Sequence, residues 1–180
     1  MVYEYLAKST GESLISHSLN VANVAEKICQ RLSLSCEERN KLAISITEIA
    51  LLHDIGKAAI GFQKMVKQNS RWKHRHEILS AFIASKIAPY LEASSLLAII
   101  THHKSLPQTG EGTTFEKCLP DNELPFIKPN ICNEMINELI ADKENFLQFL
   151  KDLNKEKKYK WQLEDLKFNF EDIGLLKQYW

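Results

Sequence analysis

The chain is short of turn-forming residues. Six glycines and five prolines in 180 residues exclude a turn-rich all-β design and leave room for long helices. The four cysteines, Cys29, Cys36, Cys118 and Cys132, form no C-x-x-C pair. That excludes a zinc ribbon or a thioredoxin-like redox site and leaves reduced, mostly buried thiols as the expectation. No apolar run approaches the length of a membrane span, and Glu4 and Lys8 interrupt the amino-terminus. Neither a membrane partner nor a signal peptide is expected, and the reading is a cytoplasmic protein. There is no internal repeat, no low-complexity segment and no G-x-x-x-x-G-K-[ST] phosphate loop. Net charge is absent too, with 23 basic against 23 acidic residues, so partners must be sought in where the charges sit.

One absence is local. Between Asp54 and Glu77 there is no acidic residue, while Lys57, Lys64, Lys67, Arg71, Lys73 and Arg75 fall in that interval with Phe62 and Trp72. A basic tract carrying aromatics suits a polyanion, and a solvated loop is the plainer alternative.

What is present fits one domain over residues 1–180. Hydrophobic residues make up 44% and charged residues 26%, ordinary for a chain able to bury a sizeable core. Apolar residues at helical spacing (Leu14, Val21, Val24, Ala25, Ile28, Leu32) predict a first helix over 11–32, with His17 on the same face. Ser35 with Glu38 three residues on reads as a capping box opening a second helix, which runs to about 55 and is stopped by Gly56. A basic connection follows. Further helices are expected over 76–88, 91–103 and 130–153, with an irregular stretch before 128. A lysine-rich segment, Lys151 to Lys160, reads as solvated surface. No convincing strand is visible, so the fold class is all-α.

The histidines carry the chemistry. His17, His53, His76, His102 and His103 fall on or at the ends of successive predicted helices, with His74 as an alternative to His76, and Asp54 follows His53 directly. A buried carboxylate among imidazoles needs a partner, a proton or a metal. Neighbours on a helix point about 100° apart, so His53-Asp54 and His102-His103 can each flank a site near a helix end. The two oxygens of Asp54 could bridge two metals. A single such histidine would ordinarily be a satisfied core residue.

The ordered set "HSLNVANVAEKI", "LLHDIGKAAIGFQKM", "RHEILSAFIA" and "ITHHKSLP" resembles the HD phosphohydrolase superfamily, and within it the HD nuclease of type I CRISPR interference. The resemblance spans residues 14–107. It implies a helical bundle whose successive helices form the metal site. It also implies two divalent ions, and a nuclease degrading single-stranded DNA by metal-activated water attacking the phosphodiester. The partners it implies are the single strand, a CRISPR-associated helicase, fused or separate, and an RNA-guided surveillance complex. By motif, His17, His53, Asp54, His76, His102 and His103 are the metal ligands, Asp54 being the bridge and catalytic centre. Lys57 matches a phosphate or transition-state contact, its plain alternative being a lysine facing the dipole at a helix end.

The family usually adds a late aspartate. Asp142, Asp152, Asp165 and Asp172 are the candidates here, Asp142 having the most helical setting, and none has the expected neighbours. A chain cut short at its carboxyl end would account for that. Five imidazoles favour Mn, Ni, Co or Fe over Mg, which prefers oxygen ligands. Beside such a site the basic tract, with Lys64, Lys67, Arg71, Lys73 and Arg75, is expected to guide a strand. Two other readings stay open: an HD phosphohydrolase of free nucleotides, and a degenerate HD domain used as a binding module.

Overall fold

The computed structural model describes residues 4–103, 129–164 and 166. Among these there are seven α-helices and no strand, only an isolated bridge between Leu6 and Ser13. The all-α expectation holds, and no helix among the described residues is long and apolar enough to cross a membrane.

Helix α1 (Leu14–Gln30) starts at Ser13, whose side chain accepts from the Ser16 amide. Helix α2 (Cys36–Leu52) starts at Ser35 with the full reciprocal capping box to Glu38. The short connection between them makes the pair antiparallel, so the start of α1 lies beside the end of α2; the rings of His17 and His53 are 5.6 Å apart. Only part of the predicted stripe of α1 faces the core. Leu14, Ser18, Ala22 and Cys29 are buried, whereas Val24 and Ile28 are each 56% exposed. Ser18 and Ala22 on its buried face are small, which suits the close packing of α1 on α2. Cys29 is a buried thiol as expected, but Cys36 opens α2 and is exposed; Cys118 and the Cys132 side chain lie outside what is described.

Helix α2 stops at Leu52, earlier than its pattern suggests. His53 caps it, and a 3-10 turn follows over Ile55–Ala58. Gly56 is not a stop signal. Its amide donates to Ser80 Oγ at 2.9 Å, and a Cβ there would lie 2.3 Å from the His76 carbonyl oxygen. Glycine is needed so that α4 (His76–Ile87) can rest directly on the turn. The basic connection is itself partly helical, α3 (Ile60–Gln68), closed by Asn69 at φ 54°.

Helix α4 is buried on almost every side, from Glu77 to Ile87, the signature of a central helix. It packs on the turn and on α5 (Ala93–Thr101). The long carboxyl-terminal helix expected over 130–153 is two helices, α6 (Pro129–Ile140) and α7 (Lys143–Asn154). They break at Asp142, whose carboxylate is occupied by the Tyr5 hydroxyl at 2.7 Å and the Asn145 amide at 2.6 Å. The core runs from Leu14 through Leu51, Ile55 and Ile83 to Phe146 and Leu150. The irregular stretch expected before 128 and the tail beyond 166 lie outside the described residues.

Candidate metal centre

Asp54 is the centre of the site. Its backbone sits at φ −114°, ψ 5°, the sparsely populated bridge region in which active-site residues recur. Leaving helical geometry turns its carboxylate back toward the end of α2, and the residue is only 1% exposed. Five side-chain nitrogens converge on it. Around Oδ2 stand Lys57 Nζ at 2.7 Å, His17 Nε2 at 3.1 Å and His53 Nε2 at 3.2 Å. Around Oδ1 stand His76 Nε2 at 3.1 Å and His102 Nε2 at 3.4 Å. His103 joins through His76, their Nε2 atoms 3.1 Å apart. Four elements deliver these groups: the first turn of α1, the end of α2 with its 3-10 turn, the start of α4 and the end of α5.

The far sides of the rings fix which atom faces the centre. His53 Nδ1 lies 2.7 Å from the Ala50 carbonyl, and His102 Nδ1 lies 2.6 Å from that of Ile99. A carbonyl only accepts, so Nδ1 carries the proton, and in a neutral ring Nε2 is a bare lone pair. On His17, Nδ1 is 3.3 Å from Glu12 Oε1, and on His76 it is 3.6 Å from Glu77 Oε2. Glu12 therefore stands behind the His17 ring as a carboxylate does behind a metal-bound histidine, while Glu77 lies beyond hydrogen-bonding reach of His76 and pairs with Arg75 instead. Sequence reasoning missed both. Glu77 adjoins a singled-out histidine, while Glu12 precedes His17 by five residues, where no helical register links them.

Lone pairs turned toward a carboxylate are repulsive unless a cation lies between them or the rings are protonated. With no cation in place the electrostatics take the second course, the rings donating to Asp54. Burial alone would push the Asp54 carboxyl up, but His102, His53 and His76 overcome it and hold it far below the usual range. Burial pulls His102 down, yet Asp54 outweighs it and raises the ring above its ordinary value. Burial, then His102 and His76, lower His103. Asp54 Oδ1 remains buried with no hydrogen-bond donor of acceptable geometry. An orphaned anionic oxygen facing imidazole nitrogens fits a divalent ion. The ligand atoms fall into two groups, His17, His53 and Asp54, and Asp54, His76, His102 and His103, each within 4.8 Å. Asp54 belongs to both. His102 and His103 are the most exposed members, so the centre opens on their side.

The other singled-out residues divide. His74 lies outside both groups, its ring 5.5 Å from Trp72. Asp142 and Asp152 lie outside them as well. Asp142 is taken by Tyr5 and Asn145, and Asp152 accepts from Gln148 at 3.0 Å. Asp165 and Asp172 lie outside the described residues. Lys57 is buried against Asp54, 5.7 Å from the Phe62 ring centroid, rather than facing a helix dipole. Gln63 is structural, with its amide donating to the carbonyls of Lys57 at 2.7 Å and Leu6 at 3.0 Å. In the basic tract Lys64, Arg71 and Lys73 are exposed. Lys67 donates to the Glu4 carbonyl at 2.9 Å, and Arg75 pairs with Glu77 at 2.7 Å.

A helical bundle that gathers imidazoles around one buried carboxylate is compatible with a metal-dependent phosphohydrolase. The chain belongs to the HD domain family, whose model matches residues 14–159. No curated protein and no solved structure matches it.

Proposed function

We propose that this HD domain is a nuclease that degrades single-stranded DNA in CRISPR interference, in the cytoplasm. A CRISPR-associated helicase and an RNA-guided surveillance complex would supply the strand. The observation that carries this reading is the course of the acid-free segment. It leaves the centre at Lys57 and returns to it at His76, both within 3.1 Å of Asp54. The exposed Lys64, Arg71 and Lys73 lie between those two anchors. A polymer of phosphates laid across the centre meets cations beyond the reacting group, which a single free nucleotide does not need.

His17, His53 and Asp54 would hold one divalent ion, and Asp54, His76, His102 and His103 a second. Such ions supply Lewis acidity and lower the pKa of coordinated water. The imidazole-rich set favours Mn, Ni, Co or Fe over Mg. The protein's own groups do the rest. Glu12 orients the His17 ring. Lys57 offers a fixed cation to a non-bridging phosphate oxygen while holding Oδ2 of Asp54. Trp72, half-buried with its ring 5.5 Å from that of the buried Phe62, gives a base an apolar edge to stack on. Lys64, Arg71 and Lys73 hold the flanking phosphates.

The test is degradation of end-labelled single-stranded DNA in manganese, beside magnesium alone, beside Asp54→Ala, and beside free deoxynucleotides. Cleavage in manganese that vanishes in Asp54→Ala is expected. Hydrolysis of free nucleotides with the polymer left intact would replace this reading by a nucleotide phosphohydrolase. Folded protein that retains no metal and cleaves neither substrate would make the domain a binding module.

A further inference from the structure

Within α2, six residues before Asp54, lies a second buried carboxylate. Glu48 is 3% exposed. Its Oε1 accepts from the Tyr90 hydroxyl and from Trp161 Nε1 at 2.8 Å. Its Oε2 has no donor among the described residues, yet it is not among the sealed, unpartnered atoms. Glu48 lines a cleft of about 930 Å³ formed by the second half of α1, the middle of α2, Tyr90 and the segment after α7. On α1 the cleft begins at Glu26, nine residues past His17, or about 13 Å along the axis at 1.5 Å per residue. On α2 the nearer wall, Glu48, stands five residues before His53, about 7.5 Å along the axis, and no lining residue is shared with the metal centre.

The segment that closes the cleft is firmly built. The Asn154 side chain brackets the Tyr159 backbone, donating to its carbonyl at 2.8 Å and accepting from its amide at 2.7 Å. Lys158, at φ 54°, closes the turn after α7, its amide donating to the Asn154 carbonyl at 2.8 Å. The Gln162 amide donates to the Ile87 carbonyl at 2.7 Å, and Tyr159 stacks on Trp161 at 6.1 Å. The lysine run that reads as solvated surface is thus bent over a cleft.

The charges sort by depth. Glu26 is neutralised by Lys157 at 2.8 Å. What remains is one acceptor, Glu48 Oε2, at the buried wall, two tyrosines along the sides, and exposed Lys158 and Lys160 at the rim. A plain anion is repelled by the wall, and a plain cation by the rim. A flat ring with an amino group at one end and a phosphate at the other meets all three parts, and the volume lies within the range of small-molecule sites. We propose that this cleft binds an aminopurine nucleotide, with the exocyclic amine on Glu48, the base beside Tyr90 and Tyr159, and the phosphate on Lys158 and Lys160.

The experiment is calorimetric titration of the full chain in EDTA, which keeps the histidine centre free of metal, with AMP and with GMP. Saturable one-to-one binding is expected for at least one of them. The 5′-monophosphate of purine riboside, which lacks the amine, should bind at least tenfold more weakly than AMP if AMP is the ligand. Inorganic phosphate should not compete at the same concentration. Glu48→Gln keeps the Oε1 acceptor for Tyr90 and Trp161 but turns Oε2 into a donor, and should lose tenfold or more. The pair Lys158→Glu and Lys160→Glu should lose as much, and carries the test if Glu48→Gln does not fold. Asp54→Ala should bind unchanged. Absence of saturable binding, equal affinity for the nucleotide without its amine, or binding lost in Asp54→Ala but kept in the cleft variants would each overturn the assignment.

Discussion

Two carboxylates six residues apart, Glu48 on α2 and Asp54 just past its end, are both almost wholly buried, and their surroundings differ in kind. Glu48 Oε1 is met by a phenol and an indole, neutral donors with a proton to give. Asp54 is met by one ammonium and four imidazole nitrogens, and at least two of those rings spend their single neutral N–H on a backbone carbonyl. Burial of a charge is therefore not in itself the mark of a cation site. What distinguishes the two is where the surrounding protons are. At Glu48 they point at the oxygen, and at Asp54 those of the His53 and His102 rings point away, leaving lone pair against lone pair until a proton or a cation intervenes.

Isosteric amides should separate the two sites most sharply. Asp54→Asn keeps the shape but loses the charge both ligand groups share. Metal content, measured on dialysed protein, should fall below one ion per chain, and hydrolysis should drop at least ~100-fold. Unchanged metal content would mean that Asp54 is not the bridge. Glu48→Gln should leave stability near that of the parent, because Oε1 still accepts from Tyr90 and Trp161. Glu48→Ala strands both donors and should cost about 1–3 kcal/mol in urea unfolding. Equal losses for Gln and Ala would mean that the negative charge, not the acceptor, matters there.

The next effect concerns the contact that assembles the centre. Gly56→Ala forces a methyl toward the His76 carbonyl and the Ser80 amide, and backbone cannot swing aside as a side chain can. A loss of about 1–3 kcal/mol is expected, together with weaker metal retention, since His76 moves with the start of α4. Stability lost with metal retention intact would show that α4 can shift without carrying His76 off the centre. Smaller still, Ser35→Ala should cost ~1 kcal/mol by removing the capping box at the far end of α2, with no effect on metal.

Much of the centre was legible in the sequence because its members announce themselves by type. Five histidines at helix ends and one aspartate after a buried run are costly unless they meet, and the structure brings them together. The fold class was legible for a similar reason, since periodic apolar residues and the Ser35–Glu38 pair are local signals. What stayed hidden depends on packing. The outward turn of Val24 and Ile28 depends on which face of α1 meets its neighbours, which periodicity on α1 alone cannot reveal. Helix α3 was hidden beneath the charge of its sequence, and the break at Asp142 depends on a hydroxyl from Tyr5, 137 residues away. Glu48 was hidden as well, because a lone glutamate within a helix looks like surface until Tyr90 and Trp161 close over it.

The smallest expected effect tests the Glu48 side of the comparison by pH. Tyr159 is half-buried beside the cleft, its hydroxyl donating to the Ile44 carbonyl at 3.2 Å. Burial first, then the charges of Glu48 and Glu26, push its phenol up to about 12, against about 10 in an unfolded chain. Tyr90 is raised in the same direction, by burial and then by Glu48. The folded state thus keeps a proton that the unfolded state gives up. Below pH 10 both states hold it, and the contribution to stability is complete. As pH rises from 10 to 12 the unfolded state ionises first, and that contribution is lost. Urea midpoints between pH 9 and 12 should therefore fall, and Tyr159→Phe should flatten part of the fall. Glu48→Gln should flatten it too, by removing one of the charges that raise both phenols. If the decline is as steep in Tyr159→Phe and Glu48→Gln as in the parent, the alkaline sensitivity arises elsewhere, and the buried charge of Glu48 does not govern the cleft.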